Sequence, residues 1–300
     1  MGRKAFKLEE QIRLLKSRGL IINNVEKSKE VLLDVGYYRL GFYWFPFEKT
    51  YPKLENRSHE FKENSSFDDA VKLYYFDFNL RNILHKVLSR IEIAVRTYMT
   101  YSVSNVYDCH PTWFADPAIV SKGYVKTFPI KVYNDTFKRI PEIARHHRKY
   151  LNDVYAPAWK TIENMTMGAM LALYKAILDK KLKIDISKHF GINFPEVFEN
   201  YMELLRNLRN TCAHGRVLYD FRPEHSIRKG PALMSGVGRN QNLNGAIHIV
   251  LYLIKQISVN RYNEYKAEIE DLIEKYGAFP AARGILEEVS GLRLSQLFAR

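Results

Sequence analysis

The sequence predicts an all-α protein, a bundle of many helices. Three observations predict it. Apolar residues recur at three- and four-residue steps over long stretches. No segment shows the apolar–polar alternation of a half-buried strand. Hydrophobic residues make up 46% of 300 residues, enough for a large packed core and too many for a disordered chain.

The elements follow in order. Residues 8–15 and 25–35 read as two short amphipathic helices around a turn at Gly19. Residues 36–46 are aromatic, with Gly36 and Gly41 and a closing Pro46, and lack either period, so a packed turn is expected. A polar loop covers about 51–66. From 67 to about 104 runs one long helix, with Val71, Tyr74, Phe78, Leu84, Leu88, Ile91, Val95 and Tyr98 near helical spacing and no proline or glycine. Ser66 or Asp68 offers its cap. On a neighbouring face His85, Ser89, Glu92 and Arg96 align, and Glu92 lies one turn before Arg96, the better order for an ion pair.

Prolines at 111, 117, 129 and 157 punctuate the next stretch. One basic helix is expected over 134–151, ending in the cluster that holds Arg145 and Lys149. Further helices are expected over 164–178 and 184–190, with Lys180, Lys181 and Lys183 between them. The next helix starts at Pro195, suited to a first turn, carries Phe198, Tyr201, Leu205, Leu208 and Cys212 as its buried stripe, and stops at Gly215. A basic, glycine-rich loop over 216–245 precedes helices over 243–257 and 262–276. The expected organisation is a helical and aromatic segment over 1–66 packed on a helical domain over 67–300.

Charge and cysteine content narrow the function. The formal net charge is +13, which favours a polyanionic partner such as RNA. Two cysteines, Cys109 and Cys212, without a CxxC pair give no disulfide framework and no thiolate zinc site. His146-His147 and Cys109-His110 match no metal-ligand spacing. Gly236-Val237-Gly238 lacks the third glycine and the preceding strand of a phosphate loop. No cofactor or metal is expected. The N-terminus shows no signal-peptide stretch, and the run over 247–254 falls short of the roughly 20 residues that span a bilayer. A cytoplasmic protein without a membrane partner is expected.

The chemistry concentrates at Arg209-Asn210-Thr211-Cys212-Ala213-His214. On a helix Asn210 and His214 lie about 40° apart, Arg206 and Asn210 likewise, and Arg209 must reach round from about 140°. Histidine titrates where it can take or give a proton near neutral pH, and arginine holds a phosphate and offsets charge that grows on it. These groups suit metal-free cleavage of RNA, leaving a 2′,3′-cyclic phosphate and a 5′-hydroxyl. One histidine per site is few for both acid and base, and two copies of the motif across a two-fold axis would supply a pair. On spacing alone, an arginine and a histidine near a helix end also suit plain helix capping.

The motif resembles the R-x4–6-H motif of HEPN-domain ribonucleases, including the asparagine after arginine. The chain also resembles the Abi-like (AbiD/AbiF) abortive-infection family. Gly36-Tyr37-Tyr38-Arg39-Leu40 is similar to its YYRL segment, and Tyr75 to Arg81 to its Y-x-FD-x-x-LR stretch. Ile91 to Arg96, Pro157-Ala158-Trp159 with Met167-Gly168, and Leu208 to Arg216 resemble three further blocks in the same order. Gly215 stands where a basic or polar residue often follows the histidine, and Leu218-Tyr219-Asp220 replaces an LW-N stretch.

The resemblance implies a HEPN-type bundle with a helical N-terminal extension and insertions. It implies phage defence or growth arrest through RNA cleavage, with regulation by a structured noncoding RNA. It makes Arg209 and His214 catalytic and Asn210 supporting, with Glu92 and Arg96 bordering the site. Arg206, Arg216, Arg145, Lys149 and Lys181 are candidates for contact with RNA. The alternative is a non-catalytic protein that holds a noncoding RNA on the same basic surface.

Overall fold

The computed structural model describes residues 5–233 and 241–292. The protein is all-α. Its helices are α1 (Leu8–Ser17), α2 (Val25–Asp34), α3 (Tyr37–Trp44), α4 (Phe67–Val106), α5 (Lys122–Lys131), α6 (Asp135–Lys138) and α7 (Pro141–Lys149). They continue with α8 (Ala158–Thr161), α9 (Met167–Ala176), α10 (Lys180–His189), α11 (Pro195–Ala213), α12 (Leu243–Ile257), α13 (Val259–Gly277) and α14 (Pro280–Glu288). Among the described residues the β structure amounts to isolated bridges. None of the described helices is long and apolar enough to cross a membrane.

Helix α4 is the axis of the bundle. Its 40 residues extend ~60 Å. The Ser66 side chain accepts from the Asp69 amide, and Asp68 and Asp69 favour the positive end of the helix. Leu73, Phe76, Leu80, Leu84, Val87, Ile91, Val95, Met99 and Val103 form the buried stripe. Helices α3, α11, α12 and α13 pack against it. This stripe is rotated from the expected one at the N-terminal end: Phe78 is 43% exposed and Tyr74 half-buried. Phe78 stays on an open edge of the helix, while the Tyr74 ring packs edge-on against Tyr43.

Helix α11 ends in a Schellman turn. The Gly215 amide donates to the Cys212 carbonyl, and the Arg216 amide to the Thr211 carbonyl. The turn needs a left-handed residue, and Gly215 has φ 61°. A side chain there would meet Arg39 only at ordinary contact distance, so the backbone angle, not crowding, calls for glycine.

The structure corrects the sequence reading in several places. Residues 36–46 hold helix α3 and a 3₁₀ turn over Phe45–Phe47 instead of a packed turn. Leu40, Tyr43 and Trp44 face the core at helical spacing, but exposed Tyr38 and Phe42 hide that period in the sequence. The basic helix over 134–151 is two helices, α6 and α7, because Pro141 has no N–H to donate back and begins a new helix. The lysines at 180, 181 and 183 lie within α10, which starts early because the Asp179 side chain accepts from the Leu182 amide. Helices α5, α8 and α14 lie outside the helices the sequence predicts. The Gly236–Gly238 segment lies outside the described residues.

One buried carboxylate pins the chain that leaves α11. Asp77 on α4 has no exposed surface. It accepts from the amides of Leu218 at 2.6 Å and Tyr219 at 2.8 Å, and from the Tyr43 hydroxyl at 3.2 Å. Arg81, one turn along, stands 3.8 Å from it and donates to the Tyr43 hydroxyl and to the Arg216 carbonyl. The cluster ties α3, α4 and the segment after α11 into one unit. Burial pushes the Asp77 carboxyl up to about 7, while the Leu218 amide, Arg81, the Tyr219 amide and Tyr43 pull the other way.

Asp77→Asn turns an NH₂ toward a backbone amide and leaves a buried donor unmet, so it should cost about 2 kcal/mol. The sign of the pH dependence follows from the raised value. The native state holds this proton more tightly than the unfolded chain does, so the contribution is present at low pH and is lost as pH rises through 7. Asparagine does not titrate. Urea unfolding of both proteins at pH 5.5 and pH 8 should therefore show the stability gap narrowing as pH rises.

Candidate functional site

The motif occupies the last turn of α11. Leu205, Leu208 and Cys212 face the core, which sends Arg209 and Asn210 to the half-buried flank and Ala213 and His214 to solvent. His214 is the C-cap residue, its amide bonded to the Asn210 carbonyl one turn back at 3.0 Å. The residue is exposed, and its ring makes no hydrogen bond or ion pair with any described residue.

Glu92 on α4 orients the arginines. It lies 2.8 Å from Arg96 and 3.8 Å from Arg209. Arg96 is buried and also donates to the Met165 carbonyl at 3.0 Å, with Glu163 3.9 Å away. Arg209 is held less tightly. Its side chain is 41% exposed, and its other contact is a 3.5 Å hydrogen bond to the Asn210 side-chain oxygen. The carboxylate is thus spent mainly on Arg96, and Arg209 keeps N–H groups free for an anion. Glu92, Arg96, Arg209 and Asn210 lie together, and His214 caps the same helix.

The other candidate residues divide. Arg206 pairs with Glu203 at 2.8 Å and Glu224 at 3.6 Å, so its charge is largely met within the protein. Arg216 is exposed just beyond the turn. Arg145 and Lys149 are exposed on α7, and Lys181 on α10. No hydrogen bond or ion pair among the described residues links these three to the motif. His146 is bonded to Asp153 and His147 to Tyr133. No three His, Cys, Asp or Glu side chains gather as metal ligands among the described residues.

Two supporting arginines escaped the sequence reading. Arg39 on α3 donates to the Gly215 carbonyl at 2.7 Å, across 176 residues. Arg81 holds the next carbonyl, that of Arg216. Both fall in blocks already noticed, the YYRL and FD-x-x-LR segments, but nothing local in those blocks names a partner. Next to the turn a cleft of ≈ 420 Å³ opens between α3, α4 and α11, with Arg39, Tyr74, Phe78, Asn82, His85 and Gly215 on its walls.

The model of the Abi-like protein family matches residues 30–220. That range covers well over half of the chain, and the chain belongs to this family. It reaches from α2 to just past the Asp77 contacts and includes the whole motif. No curated protein and no solved structure matches the chain. Membership supports a role in abortive infection.

The motif helix carries its own reporter. Burial pushes the Cys212 thiol up to about 12, which leaves almost no thiolate at pH 8. Cys109 is exposed, with its thiol raised by the neighbouring Asp108 carboxylate. A disulfide reagent should therefore titrate one thiol in the native protein and two after denaturation, and Cys109→Ser should abolish the native reaction. Rapid reaction of both would mean that the end of α11 opens in solution.

Proposed function

We propose that the protein is a HEPN-type endoribonuclease of abortive infection that cleaves RNA without a metal. The observation that carries this reading is the pairing, on one helix end, of an exposed, unpartnered imidazole with a guanidinium that a carboxylate orients without fully neutralising. In this reading the Arg209 guanidinium binds the scissile phosphate and offsets charge on its non-bridging oxygens. His214 takes the proton of the 2′-hydroxyl as that oxygen attacks phosphorus. The P–O5′ bond breaks, giving a 2′,3′-cyclic phosphate and a 5′-hydroxyl. Asn210 steadies Arg209 and offers its amide to a phosphate oxygen.

The leaving 5′-oxygen needs a proton, and one imidazole cannot serve both ends at once. The exposed tip of α11 suits a second copy brought up by a two-fold axis, whose own motif would supply the second imidazole. Glu92, the carboxylate at the motif, faces two guanidiniums, which supports a route without a metal. Exposed Arg216, Arg145, Lys149 and Lys181 extend positive charge for the RNA backbone, and a structured noncoding RNA is the proposed regulator. Cytoplasmic action fits such a substrate.

Expression of wild type and His214→Ala in bacteria, with sequencing of new 5′-hydroxyl RNA ends, tests the reading. New ends should accumulate only with wild type. In purified form Arg209→Ala and His214→Ala should each lose about 10²–10⁴-fold in cleavage rate, and chelators should leave the wild-type rate unchanged. Salt-sensitive RNA binding with no cleavage by wild type would instead make the chain a holder of a noncoding RNA.

A further inference from the structure

The cleft beside the motif has the chemistry of a nucleotide seat. Contacts with α4 show that the chain at the end of α11 and just beyond it runs opposite to α4. Arg209 meets Glu92, the Arg216 carbonyl meets Arg81, and the Leu218 amide meets Asp77. Moving from Glu92 toward the start of α4 therefore leads past His85 and Asn82 to Phe78. Ala213 and Gly215, the chain neighbours of His214 on either side, line the same cleft. The seven residues from Glu92 to His85 span ~10 Å, a short step for a flexible strand.

Its walls divide by chemistry. Phe78 is 43% exposed, unusual for a phenylalanine in the middle of a bundle's axis, and its ring lies 6.3 Å from that of Tyr74. Together they offer an aromatic face. Asn82 and His85 are exposed and make no hydrogen bond or ion pair with any described residue. Their polar edges are free to pair with the edge of a ring. Arg39 stands at the rim. It uses an N–H on the Gly215 carbonyl, which fixes its position, and it faces no carboxylate partner among the described residues. A guanidinium has five N–H groups, so the remainder are ready for a phosphate.

We infer that this cleft seats one base of single-stranded RNA next to the scissile phosphate, with Phe78 stacking on the base, Asn82 and His85 on its edge and Arg39 on its phosphate. The inference rests on the RNA reading above. The strand must be single, because a base paired and stacked within a duplex has no free face for Phe78. The cleft is thus a specificity-determining site. The amide of Asn82, donor and acceptor together, distinguishes bases by their edges, whereas the ring of Phe78 accepts any of them.

The test uses the full chain with His214→Ala, which keeps RNA intact, and short labelled homopolymers of A, C, G and U beside an RNA duplex. Fluorescence anisotropy should show single strands preferred. Phe78→Leu, which keeps bulk but removes the aromatic face, should weaken every homopolymer about tenfold, and Phe78→Trp should restore binding. Asn82→Ala should change the ranking of the four bases. Arg39→Gln should lower the salt dependence of binding by about one phosphate contact. Melting curves of each variant check that the fold is retained.

Phe78→Leu and Asn82→Ala binding all four homopolymers as the parent does would overturn the inference, as would equal affinity for the duplex. The two readings separate. If the wild type cuts no RNA yet Phe78→Leu weakens binding, the cleavage reading falls and the cleft stands. If the wild type cuts and Phe78→Leu leaves both affinity and cut-site sequence unchanged, the cleft falls and cleavage stands.

Discussion

A single carboxylate buried in an apolar bundle governs how the motif is presented. Asp77 sits wholly inside, where an unpaired charge is not tolerated, so its neighbours must meet it. They do so with two consecutive amides from the segment that follows α11. Those amides belong to a loop that would otherwise have its own choice of path. Once Leu218 and Tyr219 are held, the turn at Gly215 has one direction in which to leave the helix, and His214 is left at the tip. Arg81 from within and Arg39 from the surface grip the two carbonyls of that turn. Two guanidiniums and one acid thus replace the hydrogen bonds a frayed helix end would lose to water.

The site is built on a contrast between two arginines. Arg96 is enclosed and bonded to Glu92 and to the Met165 carbonyl, a structural cation that holds α4 against the segment carrying Met165. Arg209 shares the same acid at longer range and remains open. The carboxylate therefore acts as an aiming device rather than a neutraliser. The same division recurs on α4 itself. Its buried stripe turns away from Phe78, Asn82 and His85, so one edge of the axis keeps an aromatic ring and two polar groups exposed.

Much of this was legible one helix at a time. Pro195 and Gly215 bracket α11, and unbroken helical spacing marks α4, because caps and periodicity are local properties. Glu92 and Arg96 were readable as a pair because they are one turn apart. The errors have physical causes of the opposite kind. Helix α3 is aromatic on its exposed side as well as its buried one, so its period is masked. The expected stripe on α4 took Phe78 as core because a phenylalanine at helical spacing usually is, and only its exposure in the folded bundle shows otherwise.

An all-α chain, a strongly basic balance and an Arg-Asn-x-x-x-His motif at a helix end are all readable from the residues in order. Each of these is written within a few residues or in the composition. Folding brings Asp77, Arg81 and Arg39 onto the backbone behind the motif, with Tyr43 bridging the first two. It also decides that Glu92 faces two arginines and that a cleft opens beside His214. Those contacts join residues up to 176 positions apart. Hydrogen bonds at such separations leave no periodic mark, because the donor's own neighbourhood carries no information about which distant carbonyl or carboxylate will be brought to it.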